Sequence, residues 1–271
     1  MAETSDHRGQ VLGVEAFWRR AAPDAGSAPV LYVHGVPTSS DDWLPFLSRT
    51  GGIAPDLPGF GRSGKPASFD YSIPGYDAWL EGFLDHTGVE RFSLVVHDWG
   101  AVALATAQRL RERVDRLVVM AAVPFLPGYE WHRIARIWRT PFVGEMFQGL
   151  STKWAFKRLS REATYAPGPL PQEQLDQIWE HFDHGTQRAI LKLYRSAPPE
   201  VLAHAGQNLR DVQCPALVLT PDSDPYIGTE FGRAYAEALG NAEHRDVERA
   251  GHWLWLDRPG VIDDVAKFLA G

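Results

Sequence analysis

The chain predicts an α/β fold: a mostly parallel sheet covered by helices, with a helical segment inserted near its middle. Short apolar runs alternate with helix-patterned stretches, the signature of parallel strands joined by helical crossovers. The alternation lapses over residues 124–210, where no buried strand can be drawn. The 271 residues, 44% of them hydrophobic, suffice for one large core carrying an insertion. Strands are expected at 29–33, 53–55, 92–97, 116–122 and 215–220, each a short apolar run. Residues 124–210 instead read as amphipathic helices rich in Trp, Arg and Tyr, broken at Pro141, Pro167-Gly168-Pro169 and Pro198-Pro199. The expected organisation is a core of residues 1–123 and 211–271 with a helical cap of 124–210.

Composition narrows the function classes. Lys plus Arg total 27 against 34 for Asp plus Glu, a formal charge of −7. No overall basic excess is left to hold phosphates, so nucleic acid is not an expected partner. The single Cys214 excludes an intrachain disulfide framework and fits a reducing compartment. Residues 1–8 carry no apolar leader pattern, and nowhere do about 18 uncharged apolar residues run together. The expectation is a cytoplasmic protein with no membrane partner; association as a homodimer is left open.

The most informative residue is Asp98. It sits in Val95-Val96-His97-Asp98-Trp99-Gly100, where an apolar run ends and the helix-forming stretch from Ala101 to Ala107 begins. A sharp strand-to-helix turn of this kind lifts its central side chain clear of the backbone and needs small neighbours such as Gly100. The central residue here is a carboxylate. It cannot form a stable acyl-enzyme from an ester, but it can displace a leaving group at an sp3 carbon and form an alkyl ester.

Three further segments follow the same logic. His34-Gly35-Val36-Pro37, after the first expected strand, offers the Val36 amide, which could pair with the Trp99 amide as an oxyanion hole. Pro221-Asp222-Ser223-Asp224-Pro225 supplies an acid at the C-terminal end of a strand, where open parallel sheets place their sites. Ala250-Gly251-His252-Trp253 supplies a histidine on a late loop.

The order of nucleophile, acid and histidine, with Asp56-Leu57-Pro58-Gly59-Phe60-Gly61-Arg62-Ser63 between the early segments, resembles the α/β-hydrolases, and among them the epoxide hydrolase and haloalkane dehalogenase group. The resemblance spans both core segments. It implies Asp98 as nucleophile, His252 as the base that activates water, Asp224 as the partner of His252, and no metal or organic cofactor. The expected substrate is a small, apolar, uncharged epoxide or halide, with water as co-substrate.

The two subfamilies differ in how the leaving atom is held. Epoxide hydrolases use a pair of cap tyrosines as proton donors; Tyr194 resembles the second, and Tyr165 and Tyr129 are the nearest substitutes for the first. Dehalogenases hold a halide with the indole of the Trp after the nucleophile plus an Asn or a second Trp. Val36 stands where one dehalogenase branch has Asn, and that branch carries its acid where this chain has Ala121-Ala122. In another branch a cap Trp serves, for which Trp131, Trp138, Trp154 and Trp179 are candidates. Val96 and Pro37-Thr38-Ser39-Ser40 resemble dehalogenases. Epoxide opening is the expected activity and halide displacement the alternative.

Plainer readings stand beside these. A lone Asp at a helix start is commonly an N-cap, and Asp222 competes with Asp224 in a turn where Asp is frequent. His181 and His184 suggest a metal pair but lack a third ligand. The basic aromatic run from Trp131 to Arg139 is explained most simply as a helix with its apolar side over the pocket. The fold could also serve a non-catalytic ligand-binding protein. A serine esterase fits poorly, because Ser63 lacks the strand-elbow-helix setting.

Overall fold

The computed structural model describes residues 3–23, 28–165, 168 and 170–271. Among the described residues eight strands make one sheet: β1 (Thr4–Val11), β2 (Val14–Ala21), β3 (Val30–Val33), β4 (Gly52–Pro55), β5 (Phe92–Asp98), β6 (Val114–Ala122), β7 (Ala216–Pro221) and β8 (Ala242–Val247). Their spatial order is β1-β2-β4-β3-β5-β6-β7-β8; β2 pairs antiparallel with both β1 and β4, and the other pairings are parallel. The five expected strands are present, their ends moved by one or two residues. Every residue of β3, β4, β5 and β7 is buried, as a sheet covered on both faces requires.

Three strands lay outside the sequence expectation, and all belong to the sheet's outer parts. β1 and β8 are edge strands, whose sequences TSDHRGQV and AEHRDV carry charge where a central strand carries Val and Leu. Leu12 and Gly13, at φ 47° and 78°, turn β1 into β2 through the left-handed backbone that suits a two-residue hairpin loop.

Successive residues of β5 feed opposite faces of the sheet: Leu94 and Val96 join one hydrophobic cluster and Val95 the other. The first cluster is closed by α2 (Ile73–His86) and α3 (Val102–Arg109), the second by α1 (Leu44–Thr50) and a later C-terminal helix (Gly260–Ala270).

Between β6 and β7 run only helices among the described residues: α4 (Arg133–Arg139), α5 (Val143–Gly149), α6 (Lys153–Leu159), α7 (Gln172–Glu180), α8 (His184–Ser196) and α9 (Pro199–Ala205). Pro141 separates α4 from α5 and Pro198 caps α9, whereas Pro167 and Pro169 lie outside the described residues. The run from Trp131 to Arg139 folds with Trp131, Ile134 and Ala135 buried and Arg133 and Arg136 outward. Polar contacts tie this insertion to the core: Gln174 Nε2 donates to Asp42 Oδ1 at 2.9 Å, Thr186 Oγ1 to the Gly59 carbonyl at 3.0 Å and Lys65 Nζ to the His181 carbonyl at 2.8 Å. No helix among the described residues is long and apolar enough to cross a membrane.

The chain enters the insertion under control of one buried phenol. Tyr235, on α10 (Glu230–Leu239), donates to the Val123 carbonyl at 2.6 Å and accepts from the Phe125 amide at 2.8 Å. Replacing it with Phe leaves a buried amide and a buried carbonyl without partners. The expected cost of Tyr235→Phe is about 1–3 kcal/mol of unfolding free energy, read from urea denaturation.

Candidate active site

The elbow forms as its sequence demands. Asp98 ends β5 at φ 50° and ψ −123°, a conformation that few residues other than glycine adopt, and Trp99 opens the following helical turn. A Cβ on Gly100 would collide with the Val33 carbonyl, and one on Gly35 with the Asp98 side chain, so both neighbours must be small. Asp98 thereby points towards the turn from His34 to Pro37. There Val36 N donates to Asp98 Oδ1 at 2.7 Å. His34 holds this turn: its Nε2 accepts from Leu57 N at 2.9 Å, so its Nδ1 carries the proton and donates to the Gly35 carbonyl at 2.7 Å.

The other oxygen of Asp98 faces His252, with Nε2 to Oδ2 at 3.5 Å, and His252 Nδ1 meets Asp224 Oδ2 at 2.8 Å. Asp224 is itself fixed by the Tyr226 and Ile227 amides, at 2.8 and 3.3 Å, which donate to its Oδ1. Asp222 does something else: its carboxylate accepts the Arg249 and Ala250 amides and shapes the loop ahead of His252. Beneath the ring, His97 contacts His252 at a centroid distance of 4.7 Å and its Nε2 bonds the His252 carbonyl at 2.9 Å.

Electrostatics divides these groups into charged and neutral. Burial opposes a charge on His252, but the charges of and hydrogen bonds to Asp224 and Asp98 outweigh it and push the pKa up to about 10. Burial likewise opposes the Asp98 carboxylate, but the hydrogen bond to and charge of His252, with the Val36 amide, hold its pKa below the ordinary range. His97, buried beside a cation, is lowered to about 3 and is neutral. The resting site is thus an imidazolium between two carboxylates.

A cavity of about 210 Å³ opens over Asp98 and His252. Its floor is core, with Val36, Pro37, Tyr226 and Trp253; its walls come from the insertion, with His132, Trp138, Phe156 and Tyr194 among them. The lining is largely apolar, as suits an uncharged substrate.

Of the residues expected from the sequence, Asp98, Asp224, His252, Val36 and Tyr194 come together here. Trp99 lies directly beneath Tyr194, its ring 5.1 Å away, with its indole N–H buried and turned towards the phenol without the alignment of a full hydrogen bond. Tyr165 does not join them. It is 43% exposed, its amide is bonded to Asp257, and it lies away from the cavity lining, so it is no counterpart of Tyr194. Trp154 is exposed and Trp131 donates its N–H to the Ala197 carbonyl, which removes both as halide donors. Trp138 lines the cavity with its N–H unpartnered. Ser63 is structural, accepting the Phe17 amide and donating to the Asp56 carbonyl.

His132 was missed by the sequence reading. It precedes α4, its Nδ1 accepts the Ala135 amide at 3.4 Å, and its ring lies 6.4 Å from that of Tyr194. Burial lowers its pKa to about 4, so it is neutral with its proton on Nε2. Its place within the basic aromatic run was the only signal.

Comparison with known proteins agrees with this geometry. Residues 28–259 match the model of the alpha/beta hydrolase fold family, and the chain belongs to that family. A haloalkane dehalogenase of Mesorhizobium japonicum is 29% identical over 283 residues, 96% of this chain and 89% of that protein. Epoxide hydrolase A of Mycobacterium tuberculosis is 27% identical over 301 residues, 92% of each. A loop variant of the haloalkane dehalogenase DbeA from Bradyrhizobium elkanii superimposes with a TM-score of 0.85 at 27% identity, covering 100% of this chain and 98% of that one. Within the family the chain falls in the group of epoxide hydrolases and haloalkane dehalogenases.

The raised pKa of His252 has a signed consequence for stability. A folded-state pKa above the free value of 6.5 stabilises the fold fully below that value, and the contribution fades as pH rises towards about 10. The melting temperature of the wild type, compared with His252→Gln, should therefore lose its advantage progressively from about pH 6.5 to about pH 10. A constant difference across that window would show that His252 is not charged in the resting protein.

Proposed function

We propose that this protein is an epoxide hydrolase, with Asp98, His252 and Asp224 as its catalytic triad and residues 124–210 as a cap that closes over the substrate. The observation that carries the reading is that two neutral proton donors, the Tyr194 phenol and the His132 Nε2–H, share one cavity with Asp98. An epoxide oxygen leaves as an alkoxide and needs such a proton.

The chemistry follows from the two ends of the Asp98 carboxylate. Oδ2 forms a bond to a ring carbon as the carbon-oxygen bond of the epoxide breaks and its electron pair moves to the ring oxygen. Tyr194 supplies the proton to that oxygen, and His132 donates a hydrogen bond to it. Alkylation erases the charge on Asp98, one of the two carboxylates that hold the His252 proton. His252 then releases that proton to restore Tyr194. Neutral His252 next takes one proton from a water as its oxygen attacks the ester carbonyl. The oxyanion forms on Oδ1, where Val36 already donates at 2.7 Å, with the Trp99 amide as the second donor. Collapse frees the second diol oxygen, which takes the remaining water proton and leaves His252 charged again.

The epoxide path releases no proton to solvent, whereas displacement of a halide releases one in each turnover, whatever the resting charge of His252. One observation supports the halide reading instead: the Trp99 and Trp138 indole N–H groups are both buried, unpartnered and beside Tyr194. They could hold a leaving halide.

Turnover of styrene oxide and 1,2-dibromoethane, followed as diol and as bromide, separates the two. The expected outcome is diol alone, lost in Asp98→Ala; bromide alone would move the assignment to dehalogenase. Tyr194→Phe should lower diol formation by roughly 100-fold or more. His252→Gln should stop after alkylation, so that intact-protein mass rises by one substrate; a mass left unchanged would remove the ester intermediate from the mechanism.

A further inference from the structure

The side of the insertion facing away from the core carries a combination that the hydrolytic chemistry does not use. Phe142 caps the start of α5, Met146 lies on it and Leu150 caps its end. They are 88%, 62% and 73% exposed, and Trp154 at the start of α6 is 72% exposed. Phe142 stands there at φ 66°, backbone that a bulky residue rarely adopts, so the fold holds this ring in water under strain. Around these side chains the charge is inverted. From Arg133 to Arg161 the sequence holds seven arginines and lysines against one acid, Glu145, in a protein of net charge −7. Glu145 is neutralised by Arg195 of α8, whereas Arg136, Arg158 and Arg161 have no ion-pair partner among the described residues.

One end of this surface reaches the cavity: Leu150 is the one exposed residue of its lining.

We propose that the outer face of α5 and α6 docks on an anionic lipid surface, with Phe142, Met146, Leu150 and Trp154 entering the headgroup layer and Arg136, Arg158 and Arg161 facing lipid phosphates. Apolar tips within a cationic rim are the chemistry of interfacial binding. A second copy of the chain fits less well, because a two-fold contact would set the same basic rim against itself. Docking brings Leu150, and with it the wall of the cavity, against the layer in which apolar substrates concentrate. It goes beyond the expectation of no membrane partner, which rested on the lack of an apolar leader pattern and of a long apolar run. It also stands apart from the hydrolase assignment, since it needs no turnover.

Sedimentation of the purified protein with vesicles tests it. Wild type should pellet with equal parts phosphatidylcholine and phosphatidylglycerol, stay in solution with phosphatidylcholine alone, and be released by high salt. Arg136→Gln and Arg158→Gln should each weaken partitioning about five-fold. The double variant Phe142→Ser, Met146→Ser should abolish it while its circular dichroism and melting temperature stay those of wild type, because both side chains face solvent. Wild type remaining in solution with both vesicles would overturn the proposal. So would equal pelleting of the double variant. A dimer on gel filtration that the double variant breaks, without vesicle binding, would assign the face to a second copy.

Discussion

A buried positive charge held between two buried negative ones organises this protein. His252 keeps its proton because Asp98 and Asp224 lie on either side of it, and Asp98 stays ionised in a buried site because His252 and the Val36 amide face its two oxygens. None of the three charges would be tolerable alone at such depth. The surrounding loops serve this arrangement. Asp222 sets the loop before His252, His97 fixes the His252 carbonyl, and His34 fixes the turn that carries Val36. In the proposed reaction the same coupling sets the sequence of events, because esterification of Asp98 removes one support of the His252 charge and turns an acid into a base.

The elbow makes the coupling possible. β5 is buried along its whole length, so its last residue would be buried on one face or the other if the chain continued straight. The left-handed backbone at Asp98 lifts the carboxylate off the sheet's end, and the lack of side chains at Gly35 and Gly100 leaves room for it. Strain at one residue is held by the packing of a whole strand and helix, which is why such a conformation persists at a site of this kind.

The insertion adds a second environment to the same site. The core presents charged and hydrogen-bonding groups, while α4 to α8 contribute Trp138, Phe156, Tyr194 and the neutral His132. The Asp98 carboxylate therefore faces an apolar space containing a few neutral donors, and in the proposed reaction the choice among leaving groups rests with this wall. On its outer side the same set of helices carries the exposed apolar side chains and the basic rim, so the proposed docking surface and the cavity wall are built on one segment.

By itself the sequence determined the parallel sheet and marked Asp98, Asp224 and His252, which the structure brings within reach of one another. Each is announced locally, by an apolar run, a small-residue turn or an acid at a strand's end, and local signals survive without knowledge of the fold. It did not announce β1, β2 or β8, because strands at a sheet's margin owe their place to pairing and not to apolar content. It also suggested Tyr165, which does not line the cavity, and did not single out His132, which does. Spacing along an amphipathic helix says which residues share a face, but not which face looks into the cavity; only the packing of α4 and α8 against each other and the core turned Tyr194 and His132 inward and left Tyr165 in solvent. The charge state of His252 was decided in the same way, since it depends on two carboxylates brought from positions 126 residues apart along the chain into a site that water does not screen.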